Sequence, residues 1–111
     1  MKLPPDTIIA REKVVDYPLV QQSRSDKSAF LAGGGYTLAN PYALLTSLYA
    51  LRDQGDAAPV DENKFGRYYE IIGVLAGPHG TGLRVRTIWM TEHLSGLTKF
   101  VTLIPIEVVR S

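Results

Sequence analysis

The sequence predicts an α+β domain, with N-terminal short helices and one longer helix packed on a three- to four-stranded antiparallel meander sheet. Three observations lead there. Helix signals fill the first half of the chain and strand signals the second. The stretch "GLRVRTIWM", residues 82–90, alternates with the period of two that marks a strand. The links between the strand segments are short and rich in turn-forming residues, as hairpins require. Helices first and a meander after is the order of an α+β fold with its helices on one face of the sheet. The chain has 111 residues, enough for one core and not two. Residues 1–111 therefore read as a single domain, with a helical part over about 8–55 and a sheet part over about 58–108.

The elements follow in order. "AREKVVDY" suits a short helix that Pro18 stops. "SDKSAFLA" suits a second, with Ser25 as its cap and the "GGG" at 33–35 as its stop, because glycine tolerates positive φ. "NPYALLTSLYALRDQG" is the clearest helix. Asn40 stands at the cap, Pro41 at the first helical position and Gly55 at the end. Leu44, Leu45, Leu48 and Leu51 follow helical spacing, so one stripe is expected in the core. "DQGDAAPVDEN" is a polar linker in which "APVDE" adds a short edge strand. Then come the strands "RYYEIIGVL", "GLRVRTIWMTE" and "KFVTLIPIEVV", joined by the turns "AGPHGTG" and "HLSGLT".

The formal net charge of +1 argues against a general polyanion binder, which needs a large basic excess. A mild surplus does sit at the C-terminal end. From Leu83 onward four bases (Arg84, Arg86, Lys99, Arg110) face two acids (Glu92, Glu107). The absence of cysteine excludes disulfides, thiolate metal sites and cysteine nucleophiles, and it fits a reducing compartment. "MKLPPDTIIA" has no long apolar run, and no segment approaches a membrane span. A cytoplasmic protein with no membrane contact, no cofactor and no metal is expected.

Alternation in "GLRVRTIWM" puts Leu83, Val85 and Trp89 toward the helices and Arg84 and Arg86 away from them, beside Ile88 and Met90. Two guanidinium groups two residues apart on a strand can grip one phosphate or carboxylate. They can equally form a solvated face, with arginine paired to Glu70 on the neighbouring strand. Both readings stand at this level. His79 and His93 lie in turns, at spacings unsuited to a metal pair and without a carboxylate cluster. "GGGYTLANP" lacks the lysine and hydroxyl of a phosphate-binding loop and reads as a helix stop.

The ordered set "EKVVDYPL", "DKSAFLAGGGY", "KFGRYYEIIGVLAGPHG", "VRTIW" and "FVTLIP", spanning about Ile8 to Pro105, resembles a small bacterial toxin-like domain family of unknown function. Through it the chain resembles the barnase, EndoU, colicin and RelE group of metal-independent ribonucleases. The resemblance implies an RNA-binding sheet face and attack of a ribose 2′-hydroxyl on the neighbouring phosphate. It also implies the site residues. Arg86 would hold the phosphate and its developing charge, with Arg84 beside it. Lys27 would be a second cation, and Thr102 would hydrogen-bond the phosphate or orient Arg86. These groups must share one face of the sheet. Trp89, by alternation, belongs to the core.

One departure stands out. Relatives carry "H-P-x-G" just before the lysine helix, whereas this chain reads "VQQSRSDK", with no histidine to act as general base. Lack of a positioned base lowers catalysis by about two to four orders of magnitude. Three readings follow: an RNA-cleaving toxin-like domain; a noncatalytic interaction module of the same fold, for example one half of a two-gene pair with a small antitoxin-like protein; or a structural domain with no nucleic-acid role.

Overall fold

The computed structural model describes residues 1–10, 27–37, 40–77 and 81–109, with Lys27, Ser28 and Ala29 described by backbone alone. Two helices, α1 (Lys27–Gly33) and α2 (Pro41–Gln54), precede four strands. The strands are β1 (Ala58–Glu62), β2 (Gly66–Ala76), β3 (Gly82–Glu92) and β4 (Thr98–Val109). They form one sheet in the order β1-β2-β3-β4, with every neighbouring pair antiparallel. This is the small α+β fold with an antiparallel meander. The expected helix over "AREKVVDY" and the Ser25 cap lie outside the described residues.

The strands form where alternation is cleanest. In β3 the buried residues are Leu83, Val85, Thr87 and Trp89, with every second residue facing out. The same side of β2 buries Ile71 and Leu75, and that of β4 buries Phe100 and Leu103. Trp89 meets Phe100 edge to face, with ring centroids 5.3 Å apart. Against this face lie Leu31 of α1 and Leu44 and Leu48 of α2, all fully buried, while Leu45 and Leu51 of the same stripe are partly buried. Gly73 in β2 lets the helix approach closely. A Cβ there would stand 2.5 Å from a Leu51 methyl.

α2 begins differently from expectation. Asn40 holds the capping position, but its side chain makes no capping hydrogen bond. Its φ of −141° and ψ of 72° hold it away from the extended geometry of a capping residue. The Asn40 N–H donates to the Thr37 carbonyl, and its own carbonyl accepts from Ala43. α1 ends as expected in the glycine run, with Gly35 at a φ of 92°.

Residues 1–10 run across the molecule as a strap. The Met1 carbonyl accepts from the Ala57 N–H just before β1, and Ile8 bridges β4 in parallel at Lys99. Along the strap Leu3 and Ile9 are buried, and Arg52 of α2 donates to the Thr7 carbonyl at 3.3 Å. No buried side-chain polar atom among the described residues lacks a hydrogen-bond partner.

Leu48 lies at the centre of the helix–sheet contact with no exposure. Leu48→Ala is expected to destabilise the fold by about 2–5 kcal/mol in chemical denaturation. A loss under about 1 kcal/mol would place this helix face elsewhere.

Candidate functional site

The outer face of the sheet is built by the residues that alternate with the core. Cross-strand register makes rows on it. Ile72 of β2, Arg86 of β3 and Ile104 of β4 form one row. Val74, Arg84 and Glu107 form the next, and Glu70, Ile88 and Thr102 the row on the other side. Strict alternation fails twice in β4. The register shifts between Ile88 and Trp89 and again between Arg84 and Val85 of β3, where β4 carries the extra residues Val101 and Ile106. The first bulge lets Phe100 and Leu103, three apart, both reach the core while Thr102 faces out opposite Ile88.

Arg86 and Thr102 therefore share the outer face on adjacent antiparallel strands, and Arg84 joins them. Of Lys27 only the backbone is described, in the first turn of α1, so its side chain lies outside the described residues. His79 does too. His93 sits in the β3–β4 turn, with Nε2 at 3.1 Å from the Asn63 carbonyl and 3.3 Å from a Glu62 carboxylate oxygen. Its role is to tie the two turns at that end of the sheet. Trp89 is in the core, and its indole N–H donates to Thr87 at 2.8 Å.

Each outer-face cation has an acid. Arg86 Nε donates to Glu70. Arg84 Nε lies 3.1 Å from Glu107, and Lys99 lies 3.2 Å from Glu92. The Lys99 ammonium, with help from the Ser95 hydroxyl, holds the Glu92 carboxyl below its ordinary range. Three cations against three anions leave these pairs with no net charge. The Thr102 hydroxyl donates to the Leu103 carbonyl at 3.4 Å.

Around the pairs the face is apolar. Ile72 is 54% exposed, Ile106 48%, Val74 44% and Ile104 38%. A shallow hollow of about 490 Å³ opens on the same face, lined by Val60, Asp61, Asn63, Tyr68, Arg86 and Ile88. Asp61 puts a carboxylate at its rim. No group of three or more metal-ligating side chains occurs among the described residues, and no helix among them is long and apolar enough to cross a membrane.

Sequence reasoning found Arg84, Arg86 and the Glu70 pairing, because neighbouring strands and alternation suffice for those. It missed Glu107 as the partner of Arg84 and the exposure of Ile104 and Ile106. Both depend on bulges, for which Pro105 amid a run of aliphatics was the only signal.

The fold and this face define a small α+β meander domain with an apolar sheet surface on which Arg84, Arg86 and Lys99 are each paired with an acid. Residues 4–107 match the family model described as a domain of unknown function, DUF6883, and the chain belongs to that family. Neither the curated proteins nor the solved structures compared with the chain contain a match.

The Glu92–Lys99 contact sets a pH expectation. A carboxyl whose folded pKa is depressed contributes stability above its unfolded pKa, and the contribution is lost as pH falls through the folded value. Carboxyl NMR titration is expected to show Glu92 titrating below the ordinary glutamate range. Lys99→Met should move it upward toward the ordinary value, and an unmoved midpoint would exclude the ammonium as the cause.

Proposed function

We propose that this domain is a noncatalytic interaction module whose outer sheet face docks a protein. One observation carries the reading. Arg84, Arg86 and Lys99 are already neutralised by acids of the same chain, and exposed aliphatic side chains surround the first two pairs. A phosphate approaching this face meets a carboxylate beside each guanidinium, Glu107 at Arg84 and Glu70 at Arg86, and their like charge offsets much of the attraction. A protein surface keeps the pairs and covers the aliphatic groups, whose burial contributes roughly 25 cal/mol per Å². The missing histidine before Lys27 points the same way.

A second reading is metal-independent RNA cleavage. It is favoured by the presence of Arg86 and Thr102 on one face of adjacent strands, beside a hollow that Arg86 lines. In that reading Arg86 holds the phosphate while the ribose 2′-hydroxyl attacks it. Thr102 orients the pair, and Lys27 adds a second cation.

The two readings separate in one assay. RNA is incubated with the purified protein at low salt, with and without EDTA, beside Arg86→Ala and Lys27→Ala. The docking reading expects no cleavage and no salt-dependent RNA binding from any of them. Cleavage that survives EDTA and falls at least tenfold in Arg86→Ala, with the fold intact, would establish the ribonuclease reading instead.

A further inference from the structure

The outer face repeats itself from side to side about β3. In the central row Ile72 and Ile104 flank Arg86, one on each side. In the next row Val74 lies on one side of Arg84, and Ile106 and Glu107 on the other. The ion pairs lean in opposite directions. Arg86 turns toward β2 to reach Glu70, and Arg84 toward β4 to reach Glu107.

We propose that the occupant of this face is a second copy of the chain, docked face to face about a twofold axis running along β3. The inference rests on the docking reading above and names its partner. Such an axis sets β2 of one copy over β4 of the other. Ile72 then meets the other copy's Ile104, twice over by symmetry, and Val74 comes over the other copy's β4 bulge at Ile106 and Glu107. Glu70 comes opposite the other copy's Thr102, a carboxylate facing a hydroxyl. The two Arg86 side chains start near the axis, but each leans toward its own Glu70, so the guanidinium heads part to opposite sides. Arg84 does the same toward Glu107. Because each of the three ion pairs balances within its own copy, the pairs of two identical faces meet without net repulsion. A strongly basic or acidic partner would find no net field to match.

Size sets the strength. Three strands about 4.8 Å apart, rising about 3.3 Å per residue, make a patch roughly 14 Å by 30 Å. Side-chain relief enlarges that area toward, but not beyond, the ~800 Å² per partner of a standard interface. Association is therefore weak and concentration-dependent, with a Kd of roughly 10–100 µM.

The test is sedimentation equilibrium of the whole chain from about 5 to 500 µM. Wild type is compared with Ile72→Glu, Ile104→Glu and, as a control on the exposed surface of α2, Tyr42→Glu. A second readout is the shift of the Ile72 and Ile104 amide signals on dilution of wild type, which needs no variant to fold. Expected are a monomer–dimer equilibrium, at least a tenfold rise in Kd for each isoleucine variant, no change for Tyr42→Glu, and dilution shifts centred on the β2–β4 outer rows. Because the charges are paired within each copy, 0.5 M salt should alter Kd by less than about threefold. A dimer insensitive to both isoleucine variants, with dilution shifts elsewhere, overturns the face. Wild type that stays monomeric at 500 µM and leaves RNA uncut overturns the second copy alone and leaves the docking reading. Wild type that stays monomeric and cuts RNA overturns both.

Discussion

The Thr87 hydroxyl, buried in the middle of β3, fixes which way the central strand faces. It donates to the Ile71 carbonyl of β2 and accepts from the Trp89 indole N–H, each at 2.8 Å. One small buried group thus satisfies two polar neighbours within the apolar core. A one-residue slip of β3 would reverse every side chain along it. Thr87 and Trp89 would turn outward, while Arg84 and Arg86 would enter the apolar layer beneath the helices. Burying an unpaired guanidinium costs several kcal/mol, so that register is heavily disfavoured. The hydroxyl, the indole and the two arginines all select the same register, and the rows of the outer face follow from it.

β4 is harder to read for a physical reason. Its sequence "FVTLIPIEVV" is apolar apart from Thr102 and Glu107, so alternation carries little contrast there. The two bulges then displace the pattern, and their presence depends on pairing with a strand already placed. β3 was legible because its charged and apolar residues alternate, and α2 because its leucines recur at helical spacing between Pro41 and Gly55. Asn40 shows the limit of composition. A residue of the right type at the right place made no side-chain capping bond, because its ψ of 72° departs from capping geometry.

The candidate site divides the same way. Arginine beside arginine was visible, and Glu70 on the adjoining strand was a natural partner. Whether those cations stay available for a phosphate is decided by acids far along the chain, such as Glu107 opposite Arg84. The charged residues of this face thus serve mainly to keep an apolar surface in water without net charge, and the exposed aliphatic rows between them are its distinctive feature.

The central claim is that adjacent residues of β3 face opposite environments. Because the chain contains no cysteine, single thiols can report on it without interference. The most direct measurement is the rate of thiol labelling of Val85→Cys and Arg86→Cys under native conditions, at a concentration of about 1 µM that keeps the chain monomeric. Arg86→Cys is expected to label near the rate of a free thiol, and Val85→Cys at least about 100-fold more slowly, through opening of the fold alone. Equal rates, or a protected Arg86→Cys beside a reactive Val85→Cys, would contradict the account.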